Sequence, residues 1–312
     1  MTRYILKRIL QLIVVLLGVT FLTFLVTMAA PSDAAEMRYL SKGFTPSEEL
    51  LEQTREELGL HDPVLVQYGR WLGRLAQGDL GNSYNTDNSV LLEITRKLPG
   101  TLMLAGSSLL LMLLFEFPLG LITAVYQNKP VDYFLRIISF VGISMPNFWL
   151  ALLLMFFLAV RIRWFPVIGR GDLNSMILPM LTLAIPMICD YIRQIRTAIL
   201  EELEQAYVTG ARARGVAESR ILFCHVLPNA LVPIVTLIGL SIGHLLGGAA
   251  IVETIFSWQG IGNMVVEAIR NRDYPVIQAY VIWMAVIYVM VNLTVDIACH
   301  IMDPKLRRKG VH

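Results

Sequence analysis

Apolar runs long enough to cross a membrane alternate along this chain with short polar segments. A hydrocarbon core needs about 20 apolar residues in helical form, because only a helix or a closed barrel satisfies its own backbone in lipid. Six runs meet that length: 9–30, 101–126, 134–160, 177–199, 229–252 and 275–302. They predict an all-α membrane protein with six transmembrane helices and a folded external helical insert between the first and second. The chain then divides into a tail and first span (1–30), the insert (31–100), a five-helix core (101–302) and a C-terminal tail (303–312). Pro179, Pro186 and Asp190 interrupt the fourth run. A kinked helix facing protein is the expectation there, since neighbouring protein must re-satisfy the carbonyl that a proline frees. The first run could be read as a cleaved signal, but its length exceeds the 7 to 15 apolar residues of a signal core, so it is expected to stay as a span.

The insert is patterned like folded protein. Thr45-Pro46-Ser47-Glu48 has the form of a capping box with proline at the first helical position, and Gly59 stands where that helix should stop. A second helix is expected from Asp62-Pro63 to Gly78, with Val64, Tyr68, Trp71, Leu72 and Leu75 on one face. Such a pair of helices can serve as a docking surface or as a lid packed on the spans.

Composition agrees with the pattern: 55% of residues are hydrophobic and 16% charged. Net charge, +2, decides little, but its placement decides orientation. The side holding the termini carries most of the Lys and Arg of the short segments, from Arg3, Lys7 and Arg8 to Lys305, Arg307, Arg308 and Lys309. Opposite stand only Arg161, Arg163, Arg170, Arg270 and Arg272, so both termini are expected in the cytoplasm. The basic residues lack aromatic interleaving, which argues against nucleic acid as a partner. Cys189, Cys224 and Cys299 match no metal or redox spacing, and no phosphate-binding loop of the form GxxxxGK[ST] occurs.

Between the fourth and fifth runs lies a polar segment, 200–228, rich in Ala, Gly and Arg. An ordinary basic loop is its plain reading. The alternative is a surface into which another protein fits, because Ala206, Gly210, Ala211, Ala213 and Gly215 let a neighbour approach the backbone closely. Here the chain resembles the permease subunits of binding-protein-dependent ABC importers, whose signature runs EAA, three residues, G, nine residues, I-x-L-P. Glu204, Ala206 and Gly210 keep its front half; Gly215, Leu227 and Pro228 keep its back half, with His225 where Ile is usual and five extra residues between the halves. That spacing is similar to the peptide/nickel branch, as are "YILKRIL" at Tyr4, "LGLHDPVLVQY" at Leu58, "GDLGNSY" at Gly78, "SMPNFWLALLL" at Ser144, "ETIFSWQGIG" at Glu253, "RDYPVIQAY" at Arg272 and "VNLTVDI" at Val291. Gln259 departs from it, since the branch usually has Pro before Gly260.

The resemblance implies that Glu204, Ala206, Gly210, Ala211, Arg212, Ala213, Gly215, Leu227 and Pro228 form the element that couples the permease to a cytoplasmic ATPase. It implies a bacterial inner-membrane complex in the lipid bilayer: a second homologous permease chain, two cytoplasmic ABC ATPase subunits and an extracytoplasmic substrate-binding protein. ATP and Mg would be bound by the ATPase subunits and no cofactor by this chain, which is expected to hold no catalytic residue. A self-sufficient secondary transporter would need internal repeats, and a membrane enzyme a polar catalytic cluster; neither stands out.

Ionisable residues within spans are candidates for the path or for packing: Glu116, Asp190, His244, Glu253 and Asp296. The packing reading has Glu116, Asp190 and Asp296 pair with Arg193, Arg196 or a hydroxyl. No metal-ligand spacing appears, and Met145, Met155, Met176, Met180 and Met187 read as span filler. The short 161–176 loop and the wording of the insert look closest to nickel-type permeases. By that resemblance the cargo expected is nickel or a metal chelate, with short peptides as the alternative.

Overall fold

In the computed structural model the backbone of residues 2–30, 33–169 and 171–302 is described, and the side chains of 2–9, 232, 240, 244 and 300–302 stand outside that description. The expected C-terminal tail, Arg170 and the His244 side chain therefore lie outside the described residues. Among those described, helices carry the fold, and extended backbone pairs only in the bridge between Asn82 and Ser89. The helices are α1 (Thr2–Met28), α2 (Ala34–Leu40), α3 (Glu48–Leu58), α4 (Val64–Ala76), α5 (Val90–Val125), α6 (Pro130–Ser144) and α7 (Asn147–Leu154). After a π-helical stretch, Met155–Arg161, come α8 (Leu173–Leu203), α9 (Ala206–Ala213) and α10 (Glu218–Ile221). A second π stretch, Leu222–Val226, leads into α11 (Leu227–Ile255), followed by α12 (Ile261–Arg270) and α13 (Tyr274–Met302).

Five helices contain an apolar stretch long enough to span, and α6 with α7 make a sixth only if the bent pair counts as one span. The third run, expected as one helix, is thus corrected to two helices meeting at 103°. The cause is Pro146, which has no N–H to donate and pushes the residue before it out of the helical region; Met145 sits at φ −86°, ψ 120°. By contrast α8 runs unbroken through Pro179 and Pro186. Its start is fixed by Asp172, whose carboxylate accepts from the Ser175 N–H at 3.0 Å.

The chain forms two compact units. The first comprises residues 1–101 and 259–289. The insert within it has three helices, where the sequence suggested two. α2 was missed because its seven residues are too few to show a period. Its N-cap is Asp33, which accepts from the Glu36 N–H at 2.8 Å and pairs with Arg55 of α3 at 2.7 Å. α3 is capped by Ser47, whose Oγ accepts from the Leu50 N–H, so Pro46 precedes the cap rather than opening the helix as expected. Gly59 ends it at φ 65°, a backbone angle that disfavours a side chain. α4 lays Tyr68 and Trp71 against Phe21 and Phe24 of α1, with ring centroids 5.1 to 5.7 Å apart, and Tyr68 Oη lies 2.9 Å from Thr20 Oγ1. That face of the insert therefore packs on the first span. Val64, expected on the same face, is exposed.

The core of this unit joins Val90 and Ile94 to Ile261, Met264, Ala268, Val276 and Ala279. α12 lies between the fifth and sixth apolar runs, outside both. Thr101 caps it, with its Oγ1 accepting from the Ile261 N–H at 2.9 Å. The loop before α5 is tied to the loop before α13 by Asp273, which is 2% exposed. Its carboxylate accepts from Ser83 Oγ at 2.5 Å, from the Tyr84 N–H at 3.2 Å and from Asn85 Nδ2 at 3.3 Å. Burial, and after it the Asp273 charge, push the nearby Tyr84 phenol up to about 12.

The second unit comprises residues 102–258 and 290–312. Here α8 packs against α6, α7 and α11. Gly120 of α5 and Gly142 of α6 permit the close approach: a Cβ on Gly120 would stand 2.7 Å from the Ile195 side chain, and one on Gly142 would collide with Cys189.

The Asp273 arrangement generates a test. Replacing Asp273 by Ala strands the buried Ser83 hydroxyl and the Tyr84 amide, and the expected loss is about 3 kcal/mol of stability. Thermal unfolding of the solubilised protein should show it, together with faster proteolysis within 79–89; Asp273→Asn should lose less.

Candidate functional site

The segment expected to couple folds as two short helices joined by a turn. α8 ends at Leu203 and α9 begins at Ala206, so little slack separates the span from the surface helix. α9 turns Val208 and Ala211 inward, where they join Ile195, Ile199, Ile221, Val226 and Leu227 in one apolar cluster. The helix ends at Gly215, φ 76°, with the Gly215 N–H donating to Arg212 O at 2.9 Å and the Val216 N–H to Ala211 O at 3.2 Å. Across this turn Arg212 grips Glu218, Nε to Oε1 at 2.7 Å and Nη2 to Oε2 at 3.1 Å. The Arg212 hydrogen bond, with its charge, holds the Glu218 carboxyl below the usual carboxylate range.

These positions sort the nine residues read from the sequence. Glu204, Ala206, Arg212, Ala213, Gly215 and Pro228 are exposed, Gly210 is half-buried, and Ala211 and Leu227 belong to the apolar cluster. A partner cannot touch those last two; they hold the element to the spans. Gly215 has a conformational reason to be glycine, where the sequence reading saw only close approach. Leu227-Pro228 does not end the segment either. α10, the π stretch and α11 follow without a gap, and Pro228 sits in the first turn of α11. Proline lacks an N–H for the carbonyl four residues back and crowds it, and the wider π turn lies where that bond is missing.

Along α8 above this element runs a polar stripe the sequence reading passed over. Asp190, Arg193, Gln194, Thr197 and Glu201 recur at intervals of three and four, which is one face of a helix. With Glu202, and opposite Pro233 and Thr236 of α11, they line a cavity of about 910 Å³. Within it Asp190 accepts from Arg193 Nη2 at 3.1 Å and from Gln194 Nε2 at 2.9 Å. The spacing is legible in the sequence, where Pro179, Pro186 and Asp190 pointed to a kinked helix facing protein.

The remaining charged candidates do not converge. Asp190 pairs with Arg193 as the packing reading had it. Glu116 on α5 is 2% exposed, and its Oε2 has no hydrogen-bond partner among the described residues, so it does not pair as expected. Glu253 near the end of α11 is fully buried, and its carbonyl accepts from the Trp258 N–H at 2.8 Å. Asp296 is half-buried on α13. The arginine that the sequence offered to these acids serves another. Arg196 binds Asp132 of α6, Nε to Oδ1 at 3.0 Å and Nη2 to Oδ2 at 3.1 Å, and that carboxylate is entirely buried. This pair ties α6 to α8 near the end that enters α9.

Comparison with known proteins bears on this arrangement. Residues 116–308 match the family described as binding-protein-dependent transport system inner membrane component, and residues 1–105 match the N-terminal module of such membrane components. The oligopeptide transport system permease of Bacillus subtilis is 39% identical over 98% of this chain and 99% of its own. A probable D,D-dipeptide transport system permease of Escherichia coli is 37% identical over 96% of each chain. The glutathione transport system permease of Salmonella typhimurium is 36% identical over 99% of this chain and all of its own. Among solved structures, an inward-facing form of the MetNI methionine ABC transporter has a chain superposing with a TM-score of 0.59 at 17% identity, over 68% of this chain and 97% of that one, which shows the shared fold. An inner-membrane permease component works with an ATPase and a substrate-binding protein, and ATP hydrolysis is the ATPase's work. This multi-pass membrane chain therefore belongs to the inner-membrane permease components of binding-protein-dependent ABC importers.

Proposed function

We propose that the chain is one half of a peptide-importing permease, paired with a second homologous permease chain and driven by two cytoplasmic ATPase subunits. Both termini and α9 then face the cytoplasm, where the Lys and Arg asymmetry puts them. The observation that carries the reading is the continuity of α8. One helix bears the polar stripe that lines the cavity and passes almost directly into α9. Movement of α9 with an ATPase is thereby transmitted to the lining of the path, as a rigid lever would transmit it. Glu204 and the exposed face of α9 from Ala206 to Ala213, with Gly210 half-buried beside it, are the surface offered to the ATPase.

Peptides fit the lining. Carboxylates, a guanidinium and side-chain amides together complement a solute that carries both charges and many N–H and C=O groups. The relatives described above are named for oligopeptide, dipeptide and glutathione transport, so they favour the peptide alternative over the nickel or metal chelate expected from the short 161–176 loop and the wording of the insert.

Three outcomes test this. With its partner subunits in membrane vesicles, the protein should take up a labelled dipeptide on ATP addition; uptake of radioactive nickel without peptide would overturn the cargo. Gly210→Trp adds bulk where an added Cβ meets no other atom within 4 Å and the backbone is ordinary helix. It should lower uptake at least tenfold while membrane abundance is unchanged. Gly215→Asn, which tolerates a left-handed backbone, should cost far less than Gly215→Val, for which strain of roughly 1–3 kcal/mol adds to any lost docking.

A further inference from the structure

Tyr207, the second residue of α9, is joined through its hydroxyl to both helices that line the large cavity. Its Oη donates to Glu202 Oε2 near the end of α8 at 2.7 Å and accepts from Asn229 Nδ2 in the first turn of α11 at 3.3 Å. The same amide donates to His225 O in the π stretch at 3.0 Å. One phenol proton and two amide protons are thereby all placed, which is the full donor capacity of the chain Asn229–Tyr207–Glu202. Glu202 lines the cavity, and Asn229 stands four residues before Pro233 and seven before Thr236, the α11 residues that line it opposite. That spacing is one helix face. The bonded chain therefore crosses from one cavity wall to the other beside α9.

Val208 and Ala211 hold α9 down on the apolar cluster, but apolar contact is non-directional and leaves the helix free to turn or slide on its bed. Hydrogen bonds with preferred angles fix its register. Along the backbone α8 reaches α9 almost directly, whereas α11 follows only after the turn at Gly215, α10 and the π stretch. The bond from Asn229 to Tyr207 gives α9 a short polar route to that distant wall.

We propose that Tyr207 is a positioning residue for transport: its hydroxyl braces α9 to both walls of the cavity, so an ATPase that moves α9 carries α11 along with α8. The inference rests on the reading of α9 as the ATPase contact and adds the residue that takes the movement across the path. Tyr207→Phe keeps the exposed ring and the apolar footing of α9 and removes only the brace, which separates this role from docking.

The test places the protein with its partner subunits and binding protein in proteoliposomes, where uptake of a labelled dipeptide and ATP hydrolysis are measured together. In Tyr207→Phe the amount of assembled complex and its ATP hydrolysis should stay at wild-type levels, while peptide taken up per ATP falls about fivefold, the order of one hydrogen bond. Asn229→Ala should fall likewise, and the double variant by less than the product of the two losses, because both changes break the same bond. Tyr126→Phe, which removes an exposed hydroxyl elsewhere, should match the wild type. A readout independent of cargo is the distance between spin labels at Thr209 on α9 and Ile251 on α11, in a chain whose cysteines are replaced by serine. It should keep one narrow distribution with and without a non-hydrolysable ATP analogue, and broaden in Tyr207→Phe. Unchanged uptake per ATP in Tyr207→Phe overturns the proposal, as does a parallel loss of ATP hydrolysis, a double variant that shows the full product, an equal loss in Tyr126→Phe, or a distance distribution that the variant leaves unaltered. If Gly210→Trp lowers uptake and Tyr207→Phe does not, the brace falls and the ATPase contact stands. If the wild type takes up no dipeptide, the cargo reading falls and the spin labels still decide the brace.

Discussion

A membrane offers no water to a polar group, and this chain places a polar stripe along a spanning helix. That constraint organises the second unit. Asp190, Arg193, Gln194, Thr197 and Glu201 have to face either protein or an aqueous cavity, so α8 sits among α6, α7 and α11 rather than against lipid. The glycines at 120 and 142 let neighbouring helices come close enough to cover its other faces. Arg196 does not line this cavity, and it is neutralised by the buried Asp132. Removing Asp132 would strip both Arg196 and Arg136 of their carboxylate.

The same helix connects chemistry to mechanics. Because α9 begins three residues after α8 ends and is fastened by Val208 and Ala211 to the cluster around Ile195, Ile199 and Leu227, the surface helix and the lining of the cavity form one body. The apolar residues of 204–228 do the fastening, and the small residues Ala206, Ala213 and Gly215 stay exposed. Gly215 and the Arg212–Glu218 pair shape the turn between them. The family signature in this stretch thus includes residues, Ala211 and Leu227, whose burial attaches the element to the spans.

The first unit follows a separate logic. Its charges are used as fasteners. Asp273 gathers Ser83, Tyr84 and Asn85, and Asp33 both caps α2 and holds Arg55. Aromatic contacts of α4 with α1 show the Tyr68 and Trp71 face packed on the first span, where the helical pattern left the insert open between a docking surface and a lid.

The sequence by itself determined the number of apolar runs, the helical class and the location of the segment 204–228, because burial in lipid and helical period are local properties of composition and spacing. It also carried the turn signals at Gly59 and Gly78, since a positive φ selects glycine residue by residue. Only the tertiary structure decided that the third run bends at Pro146, that Arg196 answers Asp132 sixty-four positions away, and that "GDLGNSY" and "RDYPVIQAY" meet at one buried carboxylate. It also decided that Ala211 and Leu227 face inward. Pairings between distant residues leave no periodic trace in one chain, and a proline's effect depends on whether its neighbours can absorb the missing hydrogen bond. The prolines of α8 are absorbed within one helix and Pro146 breaks one, although all three look alike in sequence.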